Sequence, residues 1–496
     1  MIDYCRQDVR VLGKLFEHFS PYLGSEHWQQ AIRVELDTFI ACEEMSANGF
    51  CFDKPQALTL SKNIKVQLEA LDNELTTAFP PKAVQIREIT PKETKFGTLH
   101  KSDFRWTSDP DLSMFLPGCP FSLLEWVPFN PGSPKQIVER LNDAGWKPTE
   151  KTKGHIDTEK ALRFTRGDEK AQLSKRLEEY KKTGWKVSEE NLKSLPGTAP
   201  KAALSLAERL ILASRLSDLE EWLALYRTDT GRIHGNFLSI GTWTHRMAHQ
   251  KPNMANIPTS EPYGKEMRKL WRADEGKVVV GVDAEGIQLR VLAHILDDPI
   301  FTEAIVNGDK SKGTDIHTLN QRALGSVCTS RDIAKTFIYS WLLGAGERKT
   351  ANILNCSIGR AREARANFLE AYPGLKSLRE DTIPRDVNRG YFIGLDKRRV
   401  LCDSEHKMLS GYLQNGEAVI MKLSRQLWAK TLREQNIEFK LVDFVHDEWV
   451  TEVDPEVAEY VKEVQINSFE TIGQQLGLRC KLAGSGKIGN NWYEVH

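Results

Sequence analysis

No stretch of the sequence approaches the ~18–20 consecutive apolar residues that a membrane-crossing helix requires. No CxxC spacing occurs either. The cysteines (5, 42, 51, 119, 328, 356, 402 and 480) are scattered, which argues against structural zinc and suits a reducing compartment. Charge of one sign is also missing: 68 Lys and Arg balance 68 Asp and Glu. No global positive field therefore announces a polyanion, and any phosphate partner must be met by a local basic stripe. There is no repeat or low-complexity tract, and Asp3 precedes any base, so the start does not read as a secretory leader. These absences predict a soluble, cytoplasmic protein without membrane contact. At 496 residues, 27% of them charged, it is long enough for two to four domains.

The front of the chain has helical texture. Residues 24–79 read as two helices, separated at Asn48-Gly49 and closed by Pro80-Pro81. Residues 82–128 hold no period and are rich in turn formers, so they read as an insertion or long excursion. Helical spacing returns at "SPKQIVERLNDAG", with Ser133 suited to the cap and Pro134 to the first turn, and again over about 202–226. Beyond about 231 the texture is mixed. "KVVVGVDA", "RRVLCD", "FKLVDFV" and "EWVTEV" are strand candidates, helices dominate 299–388, and a long helix is expected over about 404–432. The predicted class is α+β and mainly helical, with two sheet-forming segments flanking a helical insert.

Four stretches could carry chemistry. In "VVVGVDAEGIQLR" a buried-type strand ends in Asp283, which suits a rigidly held metal ligand or, equally, a helix cap. In "DFVHDEWV" two apolar runs meet at His446-Asp447-Glu448, as in a hairpin with acids at its turn. Asp is also common in turns for purely local reasons, and Asp443 is a rival carboxylate. In "TSRDIAKTFIYSWLLGAG", Ser330 can cap a helix that repeats Arg331, Lys335 and Tyr339 on one face. That face fits a triphosphate, or is a solvated face with Asp332 as counter-charge. His317, upstream, is a further phosphate donor or a structural histidine. The polar loop "TWTHRMAHQKPNMANIP" can track a phosphate backbone.

Taken in order, these pieces resemble the motifs of family A DNA polymerases, the group of bacterial DNA polymerase I and the podophage replicative enzymes. "DAEGIQLR" is similar to the first palm motif, "RDIAKTFIYSWLLGAG" to the fingers helix and "VHDE" to the second palm motif. "THRMAHQKPNMANIP" resembles the primer-contacting segment, and "GYLQNGEAVIMKL" the helix whose glutamine reads the minor groove. "FNPGSPKQIVERLNDAGWKP" resembles the thumb, and "GKIGNNWYEVH" the podophage C-terminus. The likeness covers nearly the whole chain. It implies a right-hand polymerase fold: thumb over 24–235, palm over 236–300 and 394–496, and fingers over 301–393.

The resemblance also implies an activity: template-directed addition of deoxynucleotides to a primer 3′ end, in phage DNA replication, by two-metal phosphoryl transfer. Asp283, Asp447 and the Ala284 carbonyl would hold two Mg²⁺ ions, with Glu448 in support. His317, Arg331 and Lys335 would grip the incoming dNTP, Lys335 also protonating pyrophosphate, and Tyr339 would lie beside the sugar. Arg246, Gln414, Asn253 and His446 would contact primer-template DNA. The 82–128 segment stands where podophage enzymes bind a thioredoxin-like processivity factor, the implied partner there.

Some positions depart from the family pattern. Gln288 stands where the family has the Glu that excludes ribose, which predicts weaker exclusion of ribonucleotides. Leu343 replaces the aromatic closing the fingers helix, His245 a glycine and Ser410 an asparagine. Two other readings stay open, a single-subunit RNA polymerase relative and a catalytically silent DNA-binding remnant. Glu448 and the bulk at 288 argue against the first, and the intact Asp283, Asp447, Arg331 and Lys335 against the second.

"MIDYCRQDV" resembles the last motif of the family's 3′→5′ exonuclease, a Tyr and an Asp four apart, here Tyr4 and Asp8. Residues 1–23 are expected to be a remnant of that domain's final helix. No intrinsic proofreading is expected, the nuclease being either lost or carried on a separate exonuclease subunit.

Overall fold

The computed structural model describes residues 2–106 and 111–496, and the chain divides into two compact units, 59–220 and the remainder. The architecture is α+β with helix predominating.

The larger unit is built on a four-stranded antiparallel sheet. Its strands are β1 (Val278–Ala284), β2 (Lys440–Val445), β3 (Glu448–Val453) and β4 (Gly484–Gly489), in the spatial order β2-β3-β1-β4. β1 is central and covered on both faces, which is why it reads as an unbroken Val-rich run rather than an alternating one. Val279, Val280 and Val282 are fully buried. Gly281 is obligatory for close approach: a Cβ there would sit 2.7 Å from Val495 Cγ2 on the C-terminal turn. In β3, Trp449 stacks on Phe469 of the Ala458–Gln475 helix (4.9 Å between ring centres). It also meets Trp428 of the Glu405–Glu434 helix edge-on at 5.8 Å. Large aromatics of this kind supply much of the burial that holds helix to sheet.

After β1 the chain runs through helices from Ile287–Leu296 to Ile383–Arg389, then a short strand pair and the Glu405–Glu434 helix before β2. The core of the helices up to Arg389 is a run of rings in contact, Phe301, Tyr372, Phe368, Phe337 and Trp341. A second small sheet pairs Phe50–Phe52 with Arg232–Ile233 and Trp271–Arg272, around a cluster of Phe50, Phe52, Trp222 and Trp271.

The smaller unit has its own core, in which Leu75, Phe79, Phe129, Ile137, Val138, Leu141, Trp146 and Leu206 are packed. The predicted cap is present: Ser133 accepts from the Gln136 N–H, with Pro134 in the first turn. Within the segment read as an insertion or long excursion, Lys82–Ile89 and Phe121–Val127 pair as antiparallel strands with a bulge between Gln85 and Arg87. Most of their side chains are exposed on both faces, Trp126 at 71%. With neither face fully buried, no hydrophobic alternation is imposed on the sequence, so no period was legible.

Candidate active site

Asp283 lies near the end of β1 and pairs in register with Glu448, the first residue of β3. The β2–β3 turn consists of His446 and Asp447 alone, between the paired Val445 and Glu448. His446 takes a left-handed φ of 50°, as a tight hairpin turn demands. The Ala284 N–H donates to the Asp447 carbonyl at 2.9 Å, stitching the turn to the end of β1. Two carboxylates far apart in sequence are thereby fixed at one edge of the sheet by backbone pairing. Burial, then the neighbouring Asp447 and Glu448, push the Asp283 carboxyl up to about 7. Burial, then Glu417, push that of Asp447 up to about 6. Uncompensated negative charge in a partly desolvated site has this effect.

Asp283 caps no helix, because the Ile287–Leu296 helix starts from Gly286. Asp443 is completely buried and accepts from the Phe444 N–H, so it presents no carboxylate to solvent. Glu448 is buried and already engaged: it accepts from Trp492 Nε1 at 3.1 Å and lies 2.9 Å from His496 Nδ1.

The Arg331–Leu342 helix is capped by Ser330, as expected, whose hydroxyl accepts from the Ile333 N–H. Arg331 is not chiefly paired with Asp332, which lies 3.8 Å away. Its Nε and Nη2 both reach Asp315 Oδ1, at 3.0 and 2.9 Å. Asp315 in turn caps the helix carrying His317, accepting from the His317 N–H. His317 is buried, its Nδ1 has no hydrogen-bond partner among the described residues, and its ring centre lies 6.0 Å from that of Tyr339. Lys335 stays exposed. Burial, then the Asp447 charge, raise the Tyr339 hydroxyl.

Gln414 and Glu417 on the Glu405–Glu434 helix hold the segment containing Thr244 and Arg246. Gln414 Oε1 accepts from Thr244 at 3.2 Å. Arg246 Nη2 reaches Glu417 Oε2 at 2.6 Å, and Gln288 Nε2 donates to the same oxygen at 2.8 Å. His245 is packed against Asn415, and burial pushes its imidazole down to about 4. Asn253 sits exposed before a short turn, Met254–Asn256. Leu343 is exposed at the helix end, and Ser410 bonds back to the Lys407 carbonyl. Tyr4 and Asp8 lie one turn apart on the same face of the exposed Ile2–Leu23 helix.

Asp315 and Glu417 were missed by sequence reasoning. Asp315 had a signal, an acid two residues before His317 at a helix start. Glu417 had only its place one turn after Gln414.

The site thus sets Asp283 and Asp447 at one sheet edge of the larger unit, which also carries Arg331 and Lys335 on the Arg331–Leu342 helix. The DNA polymerase family A model matches residues 121–494. The DNA-directed DNA polymerases of Enterobacteria phage T3 and Escherichia phage T7 are each 29% identical over 100% of this chain and 76% of their own length. The polymerase domain of Pol1 from M. smegmatis, solved in complex with DNA primer-template and dNTP, superposes with a TM-score of 0.69 at 18% identity. That match covers 93% of this chain and 70% of that one. The chain belongs to DNA polymerase family A and is a template-directed, DNA-directed DNA polymerase.

Among the described residues no helix is long and apolar enough to cross a membrane. Nor does any cluster of three or more His, Cys, Asp or Glu side chains stand ready to hold a metal ion. The hard oxygen donors of Asp283 and Asp447, with their raised carboxyls, nonetheless fit divalent cations that take their remaining ligands from water and substrate.

Proposed function

We propose that this polymerase extends a primer on a DNA template, in replication of a phage genome, using Mg²⁺ held by Asp283, Asp447 and the Ala284 carbonyl. The observation carrying this reading is the strand register that sets Asp283 opposite Glu448 and ties Ala284 to Asp447. Two bound ions would activate the primer 3′-hydroxyl and neutralise charge on the transferring phosphoryl group.

The protein's own contribution is positioning. Arg331, pre-oriented by Asp315, grips the triphosphate with His317 and Lys335, and Lys335 Nζ gives a proton to the departing pyrophosphate. Tyr339 lies beside the sugar, and Gln288 occupies the space a 2′-hydroxyl would need. Arg246 and Gln414 touch minor-groove acceptors shared by all base pairs, so they test pair geometry rather than sequence. Asn253 and His446 support the primer strand, and Glu448 stiffens the turn carrying Asp447. The 82–127 strand pair, with its exposed Trp126, is where a thioredoxin-like processivity factor would dock.

The test is primer extension with Mg²⁺, deoxynucleotides against ribonucleotides, alongside Asp283→Ala. Extension by the parent with deoxynucleotides and none by the variant is expected. A silent parent, or a fully active variant, overturns the reading.

A further inference from the structure

Glu417 is 1% exposed in its side chain, and its Oε2 accepts from both Gln288 Nε2 and Arg246 Nη2, at 2.8 and 2.6 Å. Its other oxygen, Oε1, has no hydrogen-bond partner among the described residues. The two helices meet here because residue 416 is glycine: a Cβ at that position would stand 2.7 Å from Val291 Cγ1. Close crossing brings the side chain one residue after Gly416 onto the side chain two residues after Gly286.

We propose that Glu417 is a specificity-determining positioning residue: it supplies, from the neighbouring helix, the carboxylate that position 288 lacks, and anchors Gln288 as the sugar gate. The inference rests on the reading of Gln288 as that gate. A glutamine differs from a glutamate in charge and in having two unlike ends. An untethered amide can turn, move aside for a ribose and offer its own hydrogen bond to the 2′-hydroxyl. Tethered by its nitrogen to a buried carboxylate, it cannot turn without leaving that anion short of a donor. Its carbonyl oxygen is then the free end, as a carboxylate oxygen would be. Arg246 shares the anion, so the group that tests the primer-terminal pair and the group that tests the sugar are held by one atom.

The test is single-nucleotide incorporation on one primer-template, reading the ratio of kcat/KM for a deoxynucleotide to that for the matching ribonucleotide. The enzymes are the parent, Gln288→Ala, Glu417→Gln and the exchange Gln288→Glu with Glu417→Gln. Gln288→Ala and Glu417→Gln should each lower the ratio by roughly tenfold or more, the factor a charge-assisted hydrogen bond carries. The exchange should restore most of it, because the carboxylate then stands at 288 and the amide at 417. Loss of packing at 417 would slow both nucleotides alike and leave the ratio unmoved.

An unchanged ratio in Gln288→Ala overturns the gate reading itself. A fall in Gln288→Ala with no change in Glu417→Gln, or an exchange no better than Glu417→Gln, overturns the role of Glu417 alone. If Glu417→Gln does not fold, Gln288→Met keeps the bulk but gives Glu417 no donor. Its ratio should fall, and an unchanged ratio there also overturns the proposal.

Discussion

Arg331 Nε and Nη2 converge on a single oxygen of Asp315, at 3.0 and 2.9 Å. The pair aligns the guanidinium before any nucleotide arrives. Although burial works against it, hydrogen bonds from Thr318 and Arg331 hold the Asp315 carboxyl down at about 2. Asp315→Ala should therefore free Arg331 to wander and raise KM for every deoxynucleotide by roughly tenfold, with a smaller change in kcat. Steady-state kinetics decide it; a KM equal to that of the parent would remove Asp315 from nucleotide binding.

The sheet-edge carboxylates give a pH dependence with a definite sign. Asp283 and Asp447 titrate at about 7 and about 6 in the folded, metal-free protein, above the ordinary carboxylate value of 3.8. The folded state thus binds more protons than the unfolded one between about pH 4 and 7. Their contribution to stability is present below pH 4 and lost as pH rises through the folded values. Without divalent cations, the Tm of the parent should fall relative to that of Asp283→Asn as pH rises from 5 to 8. Added Mg²⁺ should raise the parent's Tm more at pH 8 than at pH 5.5, since cation and proton compete for the same oxygens. Parallel Tm curves for parent and variant would refute this.

What was legible in the sequence was local. The strand ending in Asp283, the hairpin presenting Asp447 and the cap at Ser330 each declare themselves within ten residues, through β-branched runs, turn composition and helical spacing. Glu417 declared nothing: a glutamate inside a long helix reads as a solvated face, and only the crossing at Gly416 shows it buried against Gln288. The lost charge read at 288 is thus answered in space by an acid 129 positions later. The 82–127 strand pair was illegible for the opposite reason, since two exposed faces leave no pattern.

Tyr4 and Asp8 stand one turn apart on the Ile2–Leu23 helix. That helix is exposed, Tyr4 at 72%. The 496-residue chain should leave a mismatched primer intact in Mg²⁺ without nucleotides, and Asp8→Ala should change nothing. Shortening of the primer by the purified chain, lost in Asp8→Ala, would contradict this.

Lys422 ties three parts of the larger unit together. Its buried ammonium donates to both oxygens of Glu35, at 2.9 and 2.7 Å, and to the carbonyls of Ser239 and His245, each at 2.8 Å. Arg398 joins the same Glu35 and is held by Asp396. The His245 carbonyl adjoins Arg246, so this network fixes the loop that presents Arg246 to Glu417. Lys422→Met removes a buried cation from two carbonyls and from the part-buried Glu35, which keeps Arg398. Breaking one partner of a buried pair costs about 3–5 kcal/mol, and denaturant unfolding should show a loss of that order. Activity at a temperature where the variant stays folded should report the loop separately. There, KM for primer-template should rise while KM for deoxynucleotide stays near the parent's, because the Arg331 side of the site is untouched. Equal increases in both would mean that Lys422 serves the fold alone.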